Sequence, residues 1–110
     1  MEALELTPQE AKARLEPVGA AVLIDVREPE EFSLSQIEGA RLIPMQSIPA
    51  ELQQLERLAD DTTLLILCHH GVRSLQVASW LRAHGVENCY SIAGGIDRWS
   101  REVDTSVSRY

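Results

Sequence analysis

The segment from Leu64 to Ser74 constrains this chain most, because it joins a buried strand to a helix through a very short loop. Its apolar start, Leu64–Leu67, is typical of a strand that is covered on both faces. Cys68 follows where this strand ends, and the pattern that begins at Ser74 and continues to His84 is helical. A strand, a tight loop and a helix in this order predict a parallel α/β unit with Cys68 at the carboxyl end of its strand.

This position predicts that Cys68 is a nucleophile. Backbone N–H groups in such a loop, and in the first turn of the helix after it, have no partner within the helix. They form a site for an anion, so we expect Cys68 to exist largely as the thiolate near neutral pH. A free cysteine is often only a buried apolar residue. Here the residues that follow it, Gly71, Arg73 and Ser74, favour the functional interpretation.

Strands and helices alternate along the rest of the chain. Thr7, Pro8 and Glu10 predict a helix that begins with a capping box, and Gly94-Gly95 predicts a tight turn with positive φ beside the cysteine loop. This alternation predicts an α/β fold, a three-layer sandwich in which right-handed crossovers connect parallel strands. Strands are predicted at 21–25, 40–43, 64–67 and 88–92, and helices at 8–15, 29–34, 49–58, 74–84 and after 95.

Size and charge exclude several classes of protein. The chain has 110 residues, of which 45% are hydrophobic, so we expect one domain over 1–110, with a core of about 6–100 and a tail at 101–110. A net charge of −7 disfavours nucleic acid and anionic membranes as partners, and no apolar run approaches the roughly 18 residues of a membrane span. Two cysteines are too few for a disulfide framework. We therefore expect a cytoplasmic monomer.

Four segments of the chain form a recognisable set: Asp25-Val26-Arg27-Glu28-Pro29-Glu30-Glu31-Phe32, Ile37-Glu38-Gly39-Ala40, Cys68-His69-His70-Gly71-Val72-Arg73-Ser74, and Ala93-Gly94-Gly95-Ile96 with Trp99. Each segment is weak alone, but the set is specific: in order and spacing it resembles the rhodanese-like family over roughly residues 6–99. The resemblance implies a central, mostly parallel five-stranded sheet flanked by helices.

The resemblance also implies an activity. It implies a sulfurtransferase in which Cys68 takes a sulfane sulfur from thiosulfate, or a similar small anionic donor, as a persulfide. Cyanide, a small thiol or a protein cysteine would then accept that sulfur, and the partner could be a thioredoxin-like or sulfur-relay protein. No metal or organic cofactor is implied. We expect the loop amides to stabilise the sulfur anions, as an oxyanion hole stabilises oxygen; they belong to His69, His70, Gly71, Val72, Arg73 and Ser74.

The length of the cysteine loop distinguishes rhodaneses from related phosphatases, which the resemblance also suggests. Cys68 and Arg73 are spaced Cys-x4-Arg, the length that rhodaneses place around a sulfur atom. Related phosphatases use Cys-x5-Arg, and the extra residue admits a phosphate. The shorter loop favours sulfur transfer over a small cysteine-dependent phosphatase or arsenate reductase. A non-catalytic docking or regulatory module is the other alternative, which the presence of Cys68 disfavours.

Supporting roles are expected for several residues around the loop. Arg73 should bond loop carbonyls or an acidic neighbour and so keep the N–H groups inward, with a direct substrate contact as the minor alternative. Asp25 and Arg27 resemble the family's Asp-x-Arg element: Asp25 is expected to be a buried cap or salt-bridge partner, and Arg27 to reach the pocket rim and attract the anionic donor.

The remaining candidate ligands and the second cysteine have simpler interpretations. His69 and His70 should fringe the pocket mouth and add positive charge when protonated. A metal site at Cys68-His69-His70 is disfavoured, because adjacent residues do not converge easily on one ion. Cys89 is expected to be a packed apolar residue, with a resolving role toward Cys68 as the minor alternative.

Overall fold

Five parallel strands form one sheet in a computed structural model that describes residues 3–110. Their order across the sheet is β1-β5-β4-β2-β3, and every neighbouring pair is parallel. This confirms the α/β fold and the five-stranded sheet that the sequence predicts. Residues 1 and 2 of the predicted domain lie outside the described range. The strands are β1 Glu5–Leu6, β2 Ala21–Asp25, β3 Arg41–Leu42, β4 Thr63–Leu67 and β5 Cys89–Ile92.

Helices cover both faces of this sheet. Side chains alternate across β4, so Leu64 and Ile66 join the core beneath α3 and α4, whereas Leu65 and Leu67 join the core beneath α1 and α5. Burial on both faces explains why β4 is a continuous apolar run rather than an alternating one. The helices are α1 Pro8–Leu15, α2 Pro29–Leu34, α3 Leu52–Asp61, α4 Val72–Ala83 and α5 Gly95–Glu102.

Element boundaries differ from the prediction at several ends, and four of these differences follow. β1 was not located by its pattern, because two residues that pair with Ser91 and Ile92 are too few to show a period. The helix expected from Pro49 begins with a 3₁₀ turn, Pro49–Glu51, before α3. α4 begins at Val72 rather than Ser74. Residues 101 and 102, assigned to the tail, complete α5.

The fold places the two central loops side by side. β2 and β4 are neighbours in the sheet, and the ladder continues past their ends with a 2.9 Å bond from the Val26 N–H to the Leu67 carbonyl. The chain segments that follow Asp25 and Leu67 therefore leave the same edge of the sheet next to each other, where ligands bind in open α/β sheets. Among residues 3–110, each helix is too short or too polar to cross a lipid bilayer.

Candidate active site

Three hydrogen-bonding groups converge on the sulfur of Cys68. The amide N–H groups of Gly71 and Ser74 donate to Sγ over 3.1 and 3.3 Å, and the Cys68 thiol donates to the Ser74 hydroxyl over 3.3 Å. The residue is 1% exposed. In the thiolate the Ser74 hydroxyl can reverse and donate, so that the anion would have three donors.

The local backbone explains why these amides point inward. Gly71 caps α4 with φ +99°, a left-handed conformation that glycine adopts without a steric penalty. The turn aims the free amides of the first helical turn at Cys68, where the positive end of the helix dipole also favours an anion. Within residues 3–110, only two of the six predicted amides reach Sγ. The other four, which belong to His69, His70, Val72 and Arg73, make no hydrogen bond to the thiol.

A second hydroxyl supports the one that contacts the thiol. Ser91, on β5, lies with its Oγ 2.8 Å from the Oγ of Ser74, and both residues are 0% exposed. A buried hydroxyl is costly unless it is paired, so the two serines stabilise each other's position. Ser91 is not among the predicted site residues, because its only signal in the sequence is a polar residue in an otherwise apolar strand.

The N-terminus of α5 holds the other side of the loop. The amides of Ile96 and Asp97 donate to the carbonyls of Cys68 and His69 over 2.8 and 3.1 Å. This approach requires glycine at position 95, since a Cβ there would collide with both carbonyl oxygens. The positive φ values of 75° at Gly94 and 60° at Gly95 confirm the predicted turn. The peptide planes of the loop are thus fixed from outside by α5.

Arg73 ends the loop in a two-pronged ion pair with an acidic neighbour. Its Nη1 and Nη2 donate to the two carboxylate oxygens of Glu31 over 2.7 and 2.9 Å. These bonds lower the pKa of Glu31 to about 2 and raise that of Arg73. Of the two predicted partners of Arg73, loop carbonyls and an acidic neighbour, the structure shows the acidic neighbour. Glu31 is not among the predicted site residues, although it lies in the motif from Asp25 to Phe32.

Arg27 is not at a pocket rim, which corrects the expectation for that residue. Its guanidinium is 0% exposed and pairs with Asp25, with Nη2 2.7 Å from Oδ2 and Nε 2.9 Å from Oδ1. Nη2 also donates to the Ser35 carbonyl over 2.6 Å. A buried guanidinium needs such a complete set of acceptors. Asp25 is therefore a salt-bridge partner, and the pair joins β2 to the end of α2.

Three aromatic rings stack beside the start of the loop. The centroid of the His69 ring lies 3.8 Å from that of His70 and 4.0 Å from that of Tyr110, nearly parallel to the latter at 11°. Partial burial, followed by repulsion from His70, lowers the pKa of His69. Both histidines thus lie at the start of the loop, and their contact with Tyr110 is not predicted by the sequence.

His69 and His70 lie close to the carboxylate of Asp97, although adjacent residues were not expected to converge on one metal ion. One donor atom each of His69, His70 and Asp97 lies within 4.8 Å of the other two. The Asp97 carboxylate is already paired with Arg101 and Arg109 at 3.3 and 3.2 Å. Two cations beside this carboxylate oppose the approach of a third, so the cluster is an ion-pair network rather than a built metal site.

Cys89 lies in the core away from this chemistry. It is 0% exposed on β5, and burial raises the pKa of its thiol to about 12. Both cysteines are free thiols. The expectation that Cys89 packs as an apolar residue is confirmed.

Comparison with known proteins agrees with this geometry. The family model for the rhodanese-like domain matches residues 7–102. The chain is 39% identical over 98 residues to the thiosulfate sulfurtransferase GlpE of Haemophilus influenzae strain PittEE, covering 88% of each chain. It is 36% identical over 91 residues to the rhodanese-like/PpiC domain-containing protein 12 of Arabidopsis thaliana, where the match covers 82% of this chain but 30% of that protein.

A solved structure gives the same result in three dimensions. The rhodanese-like domain protein of Staphylococcus aureus superposes with a TM-score of 0.79 at 30% identity and covers 98% of this chain and 99% of its own. The match therefore includes the sheet, the cysteine loop and the helices that hold it. On sequence and structure alike, this chain belongs to the rhodanese-like family.

Proposed function

We propose that this chain is a sulfurtransferase that carries a sulfane sulfur as a persulfide on Cys68, with thiosulfate or a similar small anion as donor. The observation that carries the proposal is the set of donors around Sγ: two amides and a hydroxyl at the start of α4. Its relative in Haemophilus influenzae bears the name thiosulfate sulfurtransferase. The Cys-x4-Arg spacing fits a single added sulfur atom.

The reaction would proceed in two displacement steps. The Cys68 thiolate attacks the outer sulfur of thiosulfate, a new S–S bond forms, and the old one breaks with its electron pair leaving on sulfite. A nucleophilic acceptor then attacks the terminal sulfur of the persulfide, and the bond between the two sulfurs breaks to restore the thiolate. The amides of Gly71 and Ser74 would stabilise the inner sulfur whenever it carries charge. Cyanide, a small thiol or a protein cysteine can each act as the acceptor.

Intact-mass measurement tests this proposal directly. Incubation with thiosulfate should add the mass of one sulfur atom, and Cys68→Ser should abolish that addition. Cys89→Ser is the matched control, because Cys89 is buried in the core, and it should still gain one sulfur. Subsequent addition of cyanide should remove the sulfur and produce thiocyanate.

The same experiment separates the alternatives. An absent adduct together with hydrolysis of an aryl phosphate would indicate a phosphatase, for which the spacing of Cys68 and Arg73 is one residue short. An absent adduct without hydrolysis would indicate a docking or regulatory module. A monomeric state, a cytoplasmic location and a thioredoxin-like or sulfur-relay acceptor stay predictions.

A further inference from the structure

The segment that follows α5 crosses back over the sheet edge to the cysteine loop. Residues 104–110 form no helix or strand, yet they are fixed at several points. A turn joins the Ser106 amide to the Asp104 carboxylate over 3.0 Å, and Val107 packs against the apolar core. Ser35 donates a hydrogen bond to the Ser108 carbonyl, and Arg109 donates to Asp97 over 3.2 Å. These contacts deliver Tyr110 to a defined place.

Tyr110 bridges the two ends of the loop. Its ring stacks on His69, which follows Cys68 directly. Its hydroxyl donates to Glu31 Oε1 over 2.9 Å, and the two carboxylate oxygens of Glu31 hold Arg73 at the far end of the loop. The same hydroxyl accepts from Nη1 of the buried Arg27, also over 2.9 Å. The Tyr110 side chain is therefore held by its ring and by its hydroxyl, which donates one hydrogen bond and accepts another.

The sulfur beneath this loop is closed to a large partner in this arrangement. Cys68 is 1% exposed, while Tyr110 is 38% exposed and faces solvent on its free side. A molecule that reacts with the Cys68 sulfur must reach this buried atom, so the loop around it has to move. Tyr110 lies outside every helix and strand and ties both ends of this loop through separable contacts, so its release would let the loop open.

We propose that Tyr110 is a specificity-determining residue, whose ring limits the size of the molecule that reaches the Cys68 sulfur. The inference rests on the proposed sulfur transfer for its biological meaning, but the steric restriction exists with or without that reaction. Small anions such as thiosulfate and cyanide need only a small movement of the loop. A bulky thiol or a protein cysteine reaches the sulfur only when Tyr110 leaves His69 and releases Glu31.

Two thiol reagents of different size measure this restriction without requiring sulfur transfer. The rates of Cys68 alkylation by iodoacetamide and by an N-aryl maleimide are compared by peptide mass spectrometry, which separates Cys68 from Cys89. Tyr110→Ala should raise the ratio of the maleimide rate to the iodoacetamide rate on the order of tenfold. This is the size expected when a ring stack and a hydrogen bond no longer oppose opening of the loop. Tyr110→Phe retains the stack and should give a smaller rise.

Further variants separate this effect from partial unfolding. Tyr110→Trp loses the hydroxyl, as Tyr110→Phe does, but places a larger ring against His69, so its ratio should lie below that of Tyr110→Phe. Partial unfolding would raise the ratio instead. Tyr90→Phe deletes the hydroxyl of the other tyrosine and should leave the ratio unchanged. The variants should fall in the same order when a persulfide is formed on Cys68 beforehand and the rate of its sulfur transfer to glutathione is divided by the rate to cyanide.

Two results would overturn the proposal about Tyr110. One is an unchanged ratio in Tyr110→Ala, and the other is a ratio in Tyr110→Trp as high as that in Tyr110→Ala. The mass experiment with thiosulfate distinguishes this failure from failure of the proposed function. If a persulfide forms on Cys68 but Tyr110→Ala leaves the ratio of alkylation rates unchanged, only the role of Tyr110 is wrong. If Tyr110→Ala alters the ratio but no persulfide forms, only the proposed sulfur transfer is wrong.

Discussion

The Ser74 hydroxyl lies 2.8 Å from the Ser91 hydroxyl and 3.3 Å from Sγ of Cys68, in a region closed to solvent. Among the described residues, Ser91 Oγ has no hydrogen-bond partner other than Ser74. When Ser91 donates to Ser74 and Ser74 donates to the sulfur, each hydroxyl proton has an acceptor. When the thiol donates instead, the chain of bonds runs the other way and the Ser91 proton has none. The serine pair can thus donate a hydrogen bond to an anionic sulfur without leaving a hydroxyl proton unpaired.

This relationship predicts the effect of removing the hydroxyl that contacts Cys68. Ser74→Ala should slow alkylation of Cys68 by iodoacetamide at pH 6 by about tenfold, because a hydrogen bond to an anion is lost. Ser91→Ala should slow it less, and its effect should disappear in the Ser74→Ala background. Ser79→Ala is the matched control, an exposed serine of the same helix. Equal rates in Ser74→Ala and wild type would contradict the role of the pair.

The ion pair at the end of the loop predicts that Arg73 and Glu31 act as a unit. Arg73→Lys keeps the charge but loses the two parallel bonds, so we expect a fall of about tenfold in kcat/KM for thiosulfate. Glu31→Gln should cause a similar loss, and the double variant should be no worse than either single one. Arg101→Lys, in an exposed pair on α5, should behave as wild type. Additive losses would show that the two residues act separately.

The sequence predicted the reactive end of this site better than its supports. Cys68, its loop and α4 are local features, and a strand, a glycine turn and a helix suffice to predict them. Ser91, Glu31 and Tyr110 reach the loop from sequence distances of 17, 42 and 41 residues from Ser74, Arg73 and His69, and no local pattern marks such contacts. Arg27 was placed wrongly for the same reason. An arginine is usually exposed, and only the fold brings Asp25, Ser35 and Tyr110 around it.

Acid should weaken the fold through Glu31. Its folded pKa of about 2 lies below the ordinary 4.5, so the stabilisation is complete above pH 4.5 and is lost as the pH falls toward 2. Because the carboxylate is partly exposed, we expect about 1–2 kcal/mol of unfolding free energy rather than the full value of the shift. Urea unfolding of wild type and Glu31→Gln between pH 5 and about 2.5 measures it. Parallel pH profiles for the two proteins would contradict this assignment.

The contact between α5 and the loop predicts that Gly95 tolerates no side chain. Gly95→Ala would drive a Cβ into the carbonyl oxygens of Cys68 and His69, so we expect a loss of about 3 kcal/mol or more in stability and disruption of the loop. Gly39→Ala is the matched control. Gly39 has φ +87° but open space around its Cβ position, so that variant should lose only about 1 kcal/mol, the strain of a positive φ. Equal losses would show that backbone strain alone matters at position 95.

Protonation of the histidine stack should improve binding of an anionic donor. The pKa of His69 lies below its ordinary 6.5, because burial and then His70 oppose the charge. His69 is therefore neutral at pH 7 and gains its proton only in more acidic solution, so the KM for thiosulfate should be flat from pH 8 to 7 and fall below pH 6.5. The charge of Asp97 and Glu31, which favours protonation, is present throughout this range. Steady-state kinetics with KM and kcat fitted separately keep this effect apart from protonation of the nucleophile.

Two histidine variants identify which ring carries the effect on KM. His69→Ala should remove most of the fall, and it should also loosen Tyr110, whose ring would lose its partner in the stack. His84→Ala is the matched control, because His84 stacks on Trp80 at the C-terminal end of α4, opposite the end that adjoins the loop. It should keep the full pH dependence. A fall in KM that survives His69→Ala unchanged would assign the charge to His70, and a KM that stays constant down to pH 5.5 would show that neither ring guides the donor.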